Sequence, residues 1–293
     1  MRICRFNGDR LGIVQDAWVY DVTSVLDLLP AQRYPLPRHD LFIEALPQLL
    51  APLRQAMQGA RRYALADVRF ASPVANPGKV IGAPINYQAH VDESKANPSI
   101  GHGRTITSIA DWGLFLKAGS ALIGCDEDIV LRFPDRRNDH EVELGVVIGS
   151  TCHQVRREDA MAHVAGYTVA LDMTLRGTEF QCFRKSIDSY SVLGPWLVTA
   201  DEIADPNQLD LWIKVNGEMR QQSNTRHLVY DVARLIEFAS SFYTLQPGDV
   251  IMTGTPEGVG PVKPGDLLEA GVAQVGELTI RIAPDYARAP AAT

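Results

Sequence analysis

Cysteine is scarce in this chain and scattered where it occurs. Cys4, Cys125, Cys152 and Cys182 form no Cys-x-x-Cys pair. That argues against a disulfide frame or a thiolate zinc site, and for reduced thiols in a cytoplasmic protein. Nothing beside Cys182 marks it as an activated nucleophile. No apolar run follows Met1-Arg2-Ile3-Cys4 as it would in a signal peptide, and no stretch approaches the length of a membrane span. Basic charge is also short. The net charge is −7 with no basic stripe, which argues against a nucleic-acid partner. Nucleotide motifs are missing too: Gly82 and Gly101-His102-Gly103 make no dinucleotide fingerprint, and Thr253 to Gly260 lacks the Gly-Lys-Ser/Thr ending of a phosphate-binding loop.

What remains is an ordinary globular composition, 46% hydrophobic and 22% charged, over 293 residues, with room for one large domain and a smaller one. The first segment reads as a small α/β unit over 1–72. Asn7-Gly8 signals a hairpin between Ile3–Phe6 and Leu11–Val14, Trp18–Asp21 suits a third strand, and the apolar spacing predicts a helix from Leu41 into Arg61-Arg62. Prolines 73 and 77 mark a boundary.

From residue 76 to 283 short strands dominate. They are expected at Val80–Ile81, Leu114–Lys117, Ile129–Arg132, Glu143–Ile148, Thr168–Leu171, Pro195–Thr199, Leu211–Val215, Val250–Met252 and Leu278–Ile282. Asn216-Gly217 is a hairpin turn, and Gln246-Pro247-Gly248-Asp249 and Lys263-Pro264-Gly265-Asp266 repeat one type II turn signature. Helices are expected only near Arg157–Ala162 and over Val229–Ser241, the latter with its apolar face at 232, 235, 236 and 239. Many strands with few crossover helices predict an α+β, mainly β fold with a mixed sheet rolled on itself. Residues 284–293 are left as a tail.

Three carboxylates carry the chemistry. In Glu141-Val142-Glu143-Leu144-Gly145-Val146-Val147-Ile148 the even positions are wholly apolar, so Glu141 and Glu143 project together from the other face. Asp172 closes a second strand-like run, Gly166 to Leu171. Two carboxylates a few ångströms apart repel by roughly 4 kcal/mol at an effective dielectric near 20. A bound divalent cation reverses that sign, and all-oxygen ligation selects a hard ion such as Mg²⁺, with Mn²⁺ or Ca²⁺ as relatives. Against this stands a plain solvated strand face, the commoner meaning of an isolated Glu-x-Glu.

His90 and Glu93 lie at i, i+3, adjacent on one face of a helix. A carboxylate there orients the imidazole and steadies the charge it acquires as a general base. The Gly, Pro and Ser content of Ser94 to Gly103 suits a segment that orders over substrate. Lys185 precedes the strand entered through Gly194-Pro195. Thr253-Gly254-Thr255-Pro256 follows a strand and can offer backbone N–H groups and a hydroxyl to a carboxylate. Lys117 ends Leu114-Phe115-Leu116.

The ordered series Asn86-Tyr87-x-x-His90-x-x-Glu93, Phe115-Leu116-Lys117, His140-Glu141-x-Glu143-Leu144-Gly145, Gly166-Tyr167-Thr168 to Asp172-Met173-Thr174, Lys185-Ser186, Gly194-Pro195-Trp196, Asn216-Gly217 and Gly248-Asp249 to Thr253-Gly254-Thr255-Pro256 resembles the fumarylacetoacetate hydrolase family over roughly residues 76–283. The resemblance implies a β-sandwich roll, a homodimer, and one divalent metal per subunit held by Glu141, Glu143 and Asp172. It further implies that His90 and Glu93 form the base on a closing lid, and that Lys185 and Thr255 touch a 2-oxo acid substrate together with Tyr87, Lys117, Arg176 and Gly254. One departure stands out: many relatives follow the metal aspartate with Thr-Ala-Arg-Asp and a glutamine, whereas here Arg176 is kept and Gly177 replaces the acid.

The activity so implied is hydrolysis of a C–C bond in a 2,4-dioxo acid such as fumarylpyruvate, through an enolate held by the metal. Decarboxylation of oxaloacetate and decarboxylation or isomerisation of a hydroxymuconate-type diacid need the same electrophile and base. A silent metal-binding scaffold is the reading from another class.

Overall fold

The computed structural model describes residues 1–101 and 107–284. The N-terminal part holds strands β1 (Arg2–Phe6), β2 (Arg10–Gln15) and β3 (Trp18–Asp21), helix α1 (Leu41–Ala56), and strands β4 (Arg62–Ala64) and β5 (Phe70–Ala71). Next come β6 (Val80–Gly82), three helices α2 (Gln88–Ala96), α3 (Pro98–Gly101) and α4 (Ile109–Trp112), then β7 (Phe115–Lys117) and β8 (Leu122–Ile123). The centre is built from β9 (Asn138–His140), β10 (Val142–Ile148), β11 (Val164–Asp172), β12 (Thr174–Leu175), the short α5 (Gln181–Arg184) and β13 (Ser191–Thr199). The chain finishes with β14 (Asp210–Val215), β15 (Glu218–Asn224), α6 (Val232–Phe242), β16 (Val250–Met252), β17 (Gly260–Pro261), β18 (Leu267–Val272) and β19 (Gly276–Arg281).

A large sheet runs β4-β3-β2-β1-β13-β11-β10-β16-β6-β7, so the N-terminal hairpins continue the central sheet through the β1–β13 pair. Pairing is mostly antiparallel, with β16–β6 and β13–β8 parallel, which makes the sheet mixed as the sequence predicts. One face carries α1, whose Ile43, Leu46, Leu49 and Leu53 meet Val147, Ala170, Leu193 and Val250. The opposite face carries Val142, Leu144, Val146 and Ile148 against the second sheet β15-β14-β18-β19 and against Val232, Leu235, Ile236 and Ala239 of α6. The result is an α+β, mainly β sandwich. Because β10 is covered on both sides, every residue in it is buried, and Glu143 is only 2% exposed. The solvated-face alternative for Glu141 and Glu143 does not hold.

The turn chemistry forms as the residues dictate. Asn216 and Gly217 both take positive φ (53° and 79°) between β14 and β15. Gly248 and Gly265 take φ of 85° and 92°, and each turn closes from its aspartate N–H to the residue three back, at 3.0 and 3.1 Å.

Several expectations need correction. The α1 helix stops at Ala56, and Arg62–Ala64 instead pairs with β3 as a strand. Ile129–Arg132 forms no ladder: Ile129 makes a single bridge to Ile282, and the Val130 N–H goes to the Ser189 hydroxyl. The helix near 157–162 is one 3-10 turn, Ala160–His163. Strands β15 and β18 were not foreseen. The tail expected beyond Pro284, and His102-Gly103 of the expected lid, lie outside the described residues. Among the described residues no helix is long and apolar enough to cross a membrane.

Asp40 fixes α1 to the boundary segment. One carboxylate oxygen accepts from Phe42 and Ile43 N–H (3.0 and 3.1 Å), capping the helix, while the other accepts from Ala75 and Asn76 N–H (3.1 and 3.0 Å). Losing a cap costs about 0.5–2 kcal/mol, and each donor stranded in a buried place adds about 1–3. Asp40→Ala is therefore expected to lower unfolding free energy by about 2–4 kcal/mol in a urea titration. Asp9→Ala, at an exposed ion pair, should stay within about 0.5 kcal/mol.

Candidate metal centre

The strand period brings Glu143 of β10, Glu141 just before it, and Asp172 at the end of β11 to one face of the sheet. The two stretches are tied where it matters, since Asp172 N–H donates to the Glu141 carbonyl at 2.9 Å. One ligand oxygen from each of the three carboxylates lies within 4.8 Å of the others, and all three side chains are buried. Three hard oxygen donors at this spacing fit a divalent cation of the Mg²⁺ or Mn²⁺ kind.

Cations flank the cluster. Lys185 Nζ donates to Glu141 Oε2 (2.7 Å) and Asp172 Oδ2 (2.6 Å). Arg176 Nη2 donates to Glu141 Oε1 (2.8 Å), while its Nε donates to Asp139 (2.7 Å). Lys117 donates to Asp172 Oδ1 and to the Tyr190 carbonyl (2.6 Å). Burial alone would raise the Glu141 carboxyl, but Lys185 and Arg176 outweigh it and hold the group well below the usual carboxylate range. At Glu143 the balance is reversed: burial first, and then the Asp172 charge, outweigh the pull of Lys185 and push it well above its ordinary value. It accepts a hydrogen bond from Gly254 N–H at 2.6 Å. The centre is therefore short of positive charge at Glu143, which is what a bound cation supplies.

A cavity of about 50 Å³ opens beside Glu141, Glu143 and Lys185, and is also lined by His90, Arg176, Thr255, Gln181, Arg184 and Trp112. On α2, His90 Nδ1 lies 2.8 Å from Glu93 Oε2, so Nδ1 donates to the carboxylate and Nε2 keeps its lone pair. Glu93 Oε1 accepts from Gly258 N–H at 3.1 Å, which pins α2 to the loop after β16. Ile85, on the cavity wall ahead of α2, has φ of 48°, a conformation costly for a β-branched residue and typical of functional sites.

Of the site residues expected from sequence, His90, Glu141, Glu143, Arg176, Lys185 and Thr255 line this one cavity, and Asp172 completes the carboxylate cluster. Four others do not line it, Glu93 among them, which holds the His90 ring from outside the lining. Lys117 is fully buried behind Asp172, which claims its charge. Gly254 gives its N–H to Glu143. Its φ of 101°, with Asn86 Cβ only 2.7 Å from where a Cβ would sit, leaves room for glycine alone. Tyr87 is packed in the core behind the cavity, its phenol raised by burial and then by the Glu143 charge.

Two supports were not legible. Gln221 of β15 accepts from Val142 N–H (3.1 Å) and donates to Thr255 Oγ1 and the Pro256 carbonyl (both 2.8 Å), joining the ligand strand to the Thr255 loop. Asn86 donates to the Thr253 and Tyr230 carbonyls (2.8 and 2.9 Å) at the foot of α2. A side chain at Gly177 would collide with Arg136 and Glu179. Those two form a bidentate pair (2.8 and 2.9 Å), so an acid two residues on occupies the space beside 177.

Comparison with known proteins agrees with this geometry. The family model described as fumarylacetoacetate (FAA) hydrolase C-terminal matches residues 79–283. A maleylpyruvate hydrolase from Aquipseudomonas alcaligenes is 55% identical over 284 residues, 96% of this chain and 99% of that one. A 2,4-didehydro-3-deoxy-L-rhamnonate hydrolase from Sphingomonas sp. is 34% identical over 94% of each chain. The crystal structure of maleylpyruvate hydrolase from Sphingobium sp. SYK-6 in complex with manganese(II) and pyruvate superposes with a TM-score of 0.83 at 40% identity, covering 97% of this chain and 99% of that one.

Glu143→Gln keeps an acceptor for Gly254 N–H while removing the charge that burial and Asp172 penalise. It is expected to melt no lower than the unsubstituted protein in EDTA. Its Mn²⁺ affinity by calorimetry should drop more than about 100-fold, because even outer partners of metal ligands are worth 10–100-fold. Equal affinity would remove Glu143 from the ligand set.

Proposed function

The chain belongs to the fumarylacetoacetate hydrolase family, and from that premise we propose that it is a divalent-metal-dependent hydrolase that cleaves the C3–C4 bond of a 2,4-dioxo acid, with maleylpyruvate as substrate. The observation that carries this reading is one small cavity lined at once by His90 and by Glu141, Glu143 and Lys185. It pairs a general base with a site for a Lewis acid. We assign Glu141, Glu143 and Asp172 as ligands of one Mg²⁺ or Mn²⁺ per subunit. When bound, such an ion supplies Lewis acidity toward the 2-oxo acid end.

The residues divide the remaining work. His90 Nε2 takes a proton from a water that adds to the 4-carbonyl, with Glu93 holding the ring and balancing the imidazolium. The new bond is C4–O. The C3–C4 bond then breaks with its electron pair left on C3, and the proton held at His90 returns to that carbon, giving pyruvate and maleate. Lys185 stands beside the 2-oxo acid end, where negative charge grows, and a fixed ammonium in a dry site stabilises that charge at no reorganisation cost. Arg176 orients Glu141, and Thr255, whose hydroxyl donates to the Val142 carbonyl at 2.9 Å, lines the same cavity.

The reading carries with it a homodimer in the cytoplasm. Cys4, Cys125 and Cys152 are buried thiols there, with Cys125 pushed up to about 12 by burial and then by Asp126. We also take residues 76–283 as the catalytic unit and 1–72 as an α/β unit that buttresses it through the β1–β13 pair.

Turnover of maleylpyruvate is expected to vanish in EDTA and return with Mn²⁺ or Mg²⁺. His90→Ala and Glu93→Gln should keep their Mn²⁺ affinity and lose on the order of 10²–10⁴ in kcat. A folded His90→Ala enzyme with unchanged kcat would dismiss the dyad. A protein inactive on every acylpyruvate with either metal would point to a scaffold.

A further inference from the structure

Arg176 lies buried in the cavity wall between two acids. Its Nη2 donates to Glu141 Oε1 at 2.8 Å, and its Nε donates to Asp139 Oδ2 at 2.7 Å. The other oxygen of Asp139 accepts from Arg137 Nε, also at 2.7 Å. Asp139 is fully buried, is absent from the cavity lining and takes no part in the reaction just described. Its backbone is nonetheless fixed from both sides, because β9 is the middle strand of three: Asp139 pairs with Thr174 of β12 and with Pro261 of β17. A guanidinium beside a carboxylate favours a bidentate grip, two parallel N–H groups on the two oxygens. Arg136 takes that grip on Glu179, at 2.8 and 2.9 Å. Arg176 does not take it on Glu141. Its fork is split, one N–H to each acid, and Lys185 Nζ meets Oε2 of Glu141 at 2.7 Å.

We propose that Asp139 is a positioning residue for the metal centre: it holds the Nε edge of Arg176 and so keeps that guanidinium from clamping both oxygens of Glu141. Restrained in this way, Arg176 steadies the ligand by one oxygen without claiming all of its charge. The proposal goes beyond the hydrolase reading and rests on one part of it, Glu141 as a metal ligand. Charge points the same way. A buried guanidinium needs a counter-ion, and a buried ion left without one is costly. With the Asp139 carboxylate fixed beside it, Arg176 finds part of that counter-charge outside the ligand set. Without Asp139 the whole demand falls on Glu141, the carboxylate that a divalent cation requires. Asparagine would not serve, since its amide presents one oxygen and one NH₂ group where two arginines call for two oxygens.

A double-mutant cycle read by Mn²⁺ calorimetry tests this without recourse to turnover. Asp139→Asn should weaken Mn²⁺ binding about 10- to 100-fold, the range for a residue that acts on a metal through its ligand. Arg176→Met removes the cation that Asp139 restrains, and should cost less affinity than Asp139→Asn even though Arg176 is the residue that touches Glu141. In the Arg176→Met background the asparagine should then have nothing left to release. The double variant is expected to match Arg176→Met within about twofold, the scatter of independent sites. That last comparison stands even if Asp139→Asn alone fails to fold. An equal loss from Asp139→Asn in both backgrounds means a merely structural aspartate and overturns the proposal, as does unchanged affinity in a folded Asp139→Asn protein. An unsubstituted protein that binds no Mn²⁺ overturns the ligand assignment and the proposal together. The predicted cycle in a protein that hydrolyses no acylpyruvate would sink the hydrolase reading and leave the role of Asp139 standing.

Discussion

Three carboxylates driven together at the buried end of one sheet are the constraint around which the rest of the site is arranged. Each would be costly alone in such a place, and their mutual repulsion adds to the cost. The fold answers with a division of cations. Lys117 and Arg176 reach Asp172 and Glu141 from behind and beside, while Lys185 bridges the same two acids from the cavity. Glu143 is left with a backbone N–H. An arrangement that pairs two acids and under-serves the third keeps the cluster affordable without saturating it, so that a divalent ion has a reason to bind.

Holding that arrangement requires rigidity from elements distant in sequence. Gln221 bridges to Val142 and Thr255 across separations of 79 and 34 residues. Asn86 fastens the foot of α2 to Thr253. Glu93 then serves two masters, the His90 ring and the Gly258 N–H. The His90 ring is consequently oriented by the same carboxylate that seats α2 against the loop after β16.

The sequence reveals the parts of the site governed by local periodicity. Glu141 and Glu143 share a face because strands repeat every two residues, and His90 meets Glu93 because helices bring i and i+3 together. The mixed, strand-rich architecture follows from turn chemistry in the same way. What stays hidden depends on which element lies opposite. Lys117 ends its strand with no local sign that Asp172 waits behind it, so it reads as a substrate contact. Gly254 reads likewise, although its unusual φ exists to aim an N–H at Glu143. Strand β15 is polar except for Met219, with Gln221 and Asn224 buried, and no alternation announces it. Ile129–Arg132 alternates well enough to read as a strand, but Ser189 takes the Val130 N–H that a ladder would need.

The departure at Gly177 fits the same logic of charge. An acid at 177 would sit on the cavity wall, near the lining face of α5. With glycine there, the acid comes from Glu179 instead, and Arg136 holds both of its oxygens. That pair draws negative charge off the wall and into a salt bridge of its own. Gly177, one of the points at which the chain departs from the family pattern, is thus bound up with the placement of that ion pair.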